Sequence, residues 1–144
     1  MAHTDFSGTW KLDRNENWDG FASAVGMNFV ARKMSGKSKP TMVLKQDEEK
    51  LEVEIQTMLF NRTEVVYLNG DPFENTAMDG TARTCVARWD GEVLAQTSEP
   101  KDPTNKSPKV TNTREITPDG EMLATITVHK PEGDVVCKRW FKKQ

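Results

Sequence analysis

Leu51-Glu52-Val53-Glu54-Ile55 alternates apolar and charged residues one by one, the mark of a strand with one face in a core and the other in water. The same period of two runs through Val135-Val136-Cys137-Lys138-Arg139-Trp140-Phe141. Residues 63–68, 84–89 and 122–128 are rich in β-branched or aromatic side chains, and 110–116 is a more polar strand carried by its threonines. Between these runs stand Asn69-Gly70, Asp79-Gly80, Asp90-Gly91 and Asp119-Gly120, dipeptides that tolerate the positive φ of tight turns. Successive antiparallel hairpins are therefore expected. A meander this long has two free edges to protect, and closing into an up-and-down barrel protects both. Barrels of this class commonly enclose one small ligand.

Helical spacing occurs in one place only. Trp18, Phe21, Ala22, Val25, Phe29, Val30, Lys33 and Met34 recur at intervals of three and four, with Gly26 dividing them into two short helices over about 17–36. Asn17 is read as the N-cap and Asp19 as a favourable first-turn charge. Such a helix-turn-helix, inserted after the first strand, is placed to lie over one mouth of a barrel. Residues 98–108 contain three prolines and no periodicity, so they read as an exposed loop between strands.

A length of 144 residues makes one domain, 1–144, the default. Twenty basic against 22 acidic side chains leave a net charge of -2, which gives no general attraction to nucleic acid. No apolar run approaches the roughly 18 residues of a membrane helix, and Met1-Ala2-His3-Thr4-Asp5 does not read as a secretory leader. Cys85 and Cys137 stand alone, without metal-ligand spacing, and read as free thiols of a reducing cytoplasm. No metal and no cofactor is expected.

Phe6-Ser7-Gly8-Thr9-Trp10-Lys11-Leu12 and Asn17-Trp18-Asp19-Gly20-Phe21 resemble the N-terminal signature of the intracellular lipid-binding proteins, the family of the fatty-acid-binding and cellular retinoid-binding proteins. The resemblance continues through Gly26-Met27-Asn28-Phe29-Val30-Ala31-Arg32-Lys33, Lys39-Pro40-Thr41 and Asp71-Pro72-Phe73-Glu74-Asn75-Thr76, and closes with Thr113-Arg114-Glu115-Ile116 and the strand 135–141. These segments span nearly the whole chain in order. The resemblance implies an all-β fold: a ten-stranded antiparallel barrel (β-clam) of two near-orthogonal sheets, a helical lid, and a ligand in the lumen. The resemblance further implies a monomeric cytoplasmic carrier of a long-chain fatty acid or similar hydrophobic carboxylate; the alternative is a retinoid-binding protein, present also in the nucleus, that delivers its ligand to a nuclear receptor.

Two arginines focus the site. Arg139 shares a strand face with Val135, Cys137 and Phe141, and Arg114 shares one with Asn112 and Ile116. Periodicity alone leaves open a surface placement in which both balance acidic neighbours. Buried, they would be costly as core filler and apt as receivers of a planar anion, above all a carboxylate. The resemblance implies that Arg114 and Arg139 are the pair that holds the carboxylate of a fatty acid or of retinoic acid. It departs at Phe141, where the family carries a tyrosine whose hydroxyl would add a donor. By the same carry-over Trp18, Phe21, Val25 and Met27 face the ligand from the lid, Phe60, Thr76 and Ala77 line the portal loops, and Asn112 faces the lumen in place of a larger apolar group.

From Gly20 to Gln46 the chain holds Arg32, Lys33, Lys37, Lys39 and Lys45 and no acidic residue. A solvated basic face explains this, and so does a lid presenting Arg32, Lys33 and Lys37 to anionic membranes. Catalysis on a bound lipid is the rival class. His3 and His129 have no serine or cysteine beside them in sequence, and no hydrolase, phosphate-loop or dinucleotide motif occurs, so the reading is a carrier and not an enzyme.

Overall fold

The computed structural model describes residues 3–58, 60–77 and 80–144. Its elements are β1 (Gly8–Glu16), α1 (Trp18–Ala24), α2 (Phe29–Lys37), β2 (Thr41–Gln46), β3 (Lys50–Gln56), β4 (Asn61–Tyr67), β5 (Phe73–Thr76), β6 (Ala82–Asp90), β7 (Val93–Pro100), β8 (Lys109–Ile116), β9 (Met122–His129) and β10 (Val135–Lys143). The ten strands form one antiparallel sheet in the order β4-β3-β2-β1-β10-β9-β8-β7-β6-β5. First and last strands come together through β1, which pairs with β2 from Gly8 to Lys11 and with β10 from Trp10 to Glu16. The sheet thus curls into a nearly closed barrel, as expected.

The hairpin turns form where the turn dipeptides stand, with one informative exception. Gly91 (φ 61) and Gly120 (φ 82) occupy the left-handed region that other residues avoid, and each lets adjacent strands reverse directly. Asn69-Gly70, by contrast, does not close a hairpin: it links β4 and β5, the two ends of the sheet, between which no ladder runs. Pro72 has no N–H to offer at the start of the four-residue β5, and the side chain of Arg62 on β4 donates Nη2 to the Thr76 carbonyl that a ladder would use. The Asp79-Gly80 turn falls at Asp79 outside the described residues, as do Met1 and Ala2 of the amino-terminal reading.

Alternation places Phe6, Trp10, Leu12, Met42, Leu44, Leu51, Val53, Val66, Ala87, Leu94, Met122, Ala124 and Phe141 in one continuous core. Emptying such a position, Phe141→Ala for example, removes on the order of 3–5 kcal/mol of stability. The irregular loop is shorter than the prolines suggest. Ser98, Glu99 and Pro100 belong to β7, paired with Cys85, Thr84 and Arg83, because Pro100 ends the strand where its missing N–H costs nothing; the loop is 101–108.

The two helices lie within one residue of their expected bounds and break at Gly26 (φ 90). Asn17 holds the N-cap position of α1 but does not cap it with its side chain. Its backbone is left-handed (φ 61), and Nδ2 instead donates to the Val136 carbonyl at 3.0 Å, tying the start of the lid to β10. The side-chain cap belongs to Asn28, whose Oδ1 accepts from Ala31 N at 2.9 Å at the start of α2. α1 packs on β9 and β10 through Ala22 and against α2. Among the described residues no helix is long and apolar enough to cross a membrane.

Candidate functional site

Arg114 and Arg139 are delivered to one place by register. On one side of β9, Arg114 of β8 pairs with Ala124; on the other side, Arg139 of β10 pairs with the same Ala124. Strand spacing sets their Cα atoms about 10 Å apart. The methyl group of Ala124 leaves the ground between the two guanidiniums uncovered. Both arginines are buried, at 7 % and 9 % exposure, so the surface alternative does not hold.

Arg139 donates Nε to Asn15 Oδ1 at 2.9 Å, and its guanidinium carbon lies 4.2 Å from the centroid of Trp18 and 5.7 Å from that of Phe141. Burial pushes its pKa down to about 10, only weakly opposed by Cys137. Arg114 is lowered too, by burial, with the charge of Glu64 working the other way. Among the described residues neither arginine forms an ion pair with a carboxylate. Both guanidiniums keep their charge at neutral pH, and an anion brought between them would offset the cost of burying it.

The other expected residues fall into groups. Trp18 reaches Arg139: its ring lies against that guanidinium, and its Nε1 donates to Ser35 Oγ of α2 at 3.0 Å. Phe21 packs on Trp18 with ring centroids 5.1 Å apart, and Val25 and Met27 are half-buried at the turn between the helices. Phe141 is fully buried beside Arg139. Asn112 lies next to Arg114 on the same face of β8, with a buried Oδ1 that has no hydrogen-bond partner among the described residues. Phe60, Thr76 and Ala77 belong to the two edges of the sheet, Phe60 just before β4 and Thr76 and Ala77 at the end of β5. Phe60 is 40 % exposed in the turn closed by Thr57, Thr76 ends β5, and Ala77 hydrogen-bonds Thr81. On α2 the basic triad divides. Lys33 and Lys37 are exposed, whereas Arg32 is half-buried, ion-paired with Asp19 at 3.2 Å and bonded to the Met27 carbonyl.

Several polar lumen residues escaped the sequence reading. Asn15, the partner of Arg139, is out of phase with Trp10 and Leu12; a bulge between Leu12 and Arg14 turns it inward and sends Arg14 out to Glu121 and the Trp140 ring. Arg62 and Glu64 share the inward face of β4 with Val66 and are ion-paired at 3.1 Å; the alternation of residues 62–66 was the available signal. A third buried arginine, Arg83, is wholly committed to structure. It donates to Ser98 Oγ (2.6 Å), Ser98 O (2.9 Å), Ser107 Oγ (3.2 Å) and Pro108 O (2.8 Å), pinning the 101–108 loop to the barrel.

His129 does meet a hydroxyl and a carboxylate in space, Thr111 Oγ1 at 2.7 Å and Asp134 Oδ1 at 3.3 Å. This chain lies on the solvent face of β8 and β9, opposite the arginines. Among the described residues no cluster of histidine, cysteine or carboxylates is arranged to hold a metal.

The fold is a small, nearly closed barrel with a helical lid and a pair of buried arginines on its inward face. The family model of the lipocalin / cytosolic fatty-acid binding proteins matches residues 7–143, and the chain belongs to that family. It is 32 % identical to cellular retinoic acid-binding protein 2 of Homo sapiens, over 97 % of this chain and 99 % of that one. It is 33 % identical to the intestinal fatty acid-binding protein of Bos taurus, over 96 % and 98 %. The solved REP1-NXSQ fatty acid transporter superposes with a TM-score of 0.83 at 28 % identity, over 97 % of this chain and 96 % of that one.

Proposed function

We propose that this protein is a monomeric intracellular carrier that shields a long-chain fatty acid inside its barrel and holds the carboxylate between Arg114 and Arg139. The observation that carries this reading is the placement of two buried guanidiniums on either side of Ala124, neither ion-paired within the protein among the described residues. Burying charge without an anion is costly, and a ligand carboxylate removes that cost with planar bidentate bonds. A neutral lipid would bring no anion to either guanidinium and so would not offset their burial. The names of the bovine and human relatives support fatty acid and retinoic acid as the two candidate acids.

Exposed Phe29, Val30 and Met34 stand beside Lys33 and Lys37 on α2, a composition suited to a transient seat on an anionic membrane during ligand transfer. Delivery of retinoic acid to a nuclear receptor is the second reading, supported by the resemblance to the human retinoic acid-binding protein.

The test is competitive displacement of a fluorescent probe from delipidated protein by oleate, all-trans retinoic acid and the corresponding alcohols. The acids are expected to bind at least tenfold tighter than the alcohols, about 1.4 kcal/mol. Arg114→Gln and Arg139→Gln should each narrow that gap. Equal binding of acids and alcohols would overturn the arginine–carboxylate reading, and the preferred acid decides between the two ligands.

A further inference from the structure

Beside the arginine pair the lumen contains a second polar station that a simple fatty acid does not use. Arg114 Nε is a buried donor and Asn112 Oδ1 a buried acceptor, and neither has a hydrogen-bond partner among the described residues. They stand two residues apart on the same inward face of β8, where Asn112 pairs with Gln96 and Ile126, and Arg114 with Leu94 and Ala124. Two residues of strand advance about 6.8 Å. They do not satisfy each other, and a single carboxylate over Ala124 offers acceptors only, so Asn112 Oδ1 stays unmatched when a plain acid binds.

Glu64 sharpens the chemistry. It faces inward from β4, opposite Val53, and its charge already acts on Arg114. It is itself held by Arg62 at 3.1 Å. A second anion at Arg114 Nε meets that carboxylate as a like charge, whereas a neutral carbonyl does not. What matches the station is therefore a neutral group with one acceptor and one donor facing opposite ways. A trans amide is such a group: hydrogen bonds of about 2.9 Å on its two sides put its partners about 7 to 8 Å apart. That is close to the spacing of alternate side chains along a strand.

We propose that the ligand class extends to acyl chains joined through an amide to a small carboxylate, the N-acyl amino acids. The carboxylate lies between Arg139 and Arg114, the amide carbonyl accepts from Arg114 Nε, and the amide N–H donates to Asn112 Oδ1. This inference rests on the carboxylate reading above and adds the amide to it.

The test uses the full-length delipidated protein and probe displacement by oleate, N-oleoylglycine and N-oleoylsarcosine. The last two share chain, carbonyl and carboxylate and differ in the N–H, which sarcosine replaces with a methyl group. N-oleoylglycine is expected to bind at least tenfold tighter than N-oleoylsarcosine, and Asn112→Leu to bring that ratio within threefold. Asn112→Ser, a smaller change, serves if the leucine variant does not fold. Equal binding of the two amides to the unaltered protein, or a ratio that survives loss of Asn112, overturns the proposal while oleate binding leaves the carrier reading standing. Failure of oleate and both amides to displace the probe overturns both.

Discussion

The guanidinium of Arg139 lies 4.2 Å from the ring centroid of Trp18, so a lumen cation and the first residue of the helical lid are in direct contact. A desolvated cation over an indole is worth on the order of 1–2 kcal/mol. Trp18 in turn donates to Ser35 on α2, so the contact chain runs from the proposed head-group site through α1 to the second helix. A carboxylate arriving at Arg139 competes for the same guanidinium. The emission of Trp18 should therefore change on binding of oleate, and the change should be lost in Trp18→Phe while Trp10, Trp89 and Trp140 remain. An unaltered ligand response in that variant would disconnect the lid from the site.

Arg139 also sets a cost in the unliganded protein. Burial lowers its pKa to about 10, below the unfolded value, so at neutral pH the folded state carries a charge that it disfavours. The sign follows: the penalty is fully present below about pH 10 and is relieved as pH rises through the folded pKa toward the unfolded one. Arg139→Met should stabilise the unliganded protein at pH 7 by on the order of 1–3 kcal/mol in urea unfolding while weakening binding of acids. A destabilised variant would show that the bond to Asn15 and the packing on Trp18 outweigh desolvation.

Binding of a carboxylate should be nearly constant from pH 6 to 9 and fall above about pH 10, as Arg139 loses its proton. Arg139's own contribution to the stability of the free protein moves the opposite way over that range. Isothermal titration across pH 7 to 11.5 reads the first trend, and an affinity flat through the whole range would show that binding does not depend on deprotonation of Arg139.

Phe141 stands fully buried beside Arg139 without a hydroxyl. Phe141→Tyr supplies a donor at the anion site. A net hydrogen bond to a charged group is worth about 1.5–3 kcal/mol, so oleate affinity should rise roughly tenfold while that of oleyl alcohol moves much less. An equal gain for acid and alcohol would mean that the hydroxyl does not meet the carboxylate.

Phe29 and Val30 are 63 % and 64 % exposed on a helix that also presents Lys33 and Lys37. Reversing both lysines to glutamate should slow transfer of a fluorescent fatty acid to anionic vesicles several-fold and leave transfer to neutral vesicles unchanged. Equal effects on both vesicle types would assign the basic face to solvation alone.

Local chemistry made much of this molecule legible. A strand's period of two is a property of the backbone, so Val135-Val136-Cys137-Lys138-Arg139-Trp140-Phe141 announces by itself that Arg139 turns the same way as Cys137 and Phe141. A turn that needs positive φ writes itself as Asp-Gly, as at Gly91 and Gly120, and two short helices declare themselves by spacing and a dividing Gly26. What local chemistry does not encode is which strands become neighbours. That Arg114 and Arg139 flank the same Ala124 depends on the registers of β8 and β10 against β9, and those depend on contacts across the whole sheet. Asn15 reaches Arg139 only because a bulge reverses the phase of β1 after Leu12, a shift that the alternation of the chain conceals. Asn69-Gly70 has the residues of a hairpin turn and yet joins the two unpaired ends of the sheet. The sequence by itself determined most of the strands, the tight Asp-Gly turns and the phase of side chains along an unbroken strand, because those follow from backbone geometry within a few residues. Only the tertiary structure decided which inward residues meet, because hydrogen-bond register and closure are settled between segments far apart in the chain.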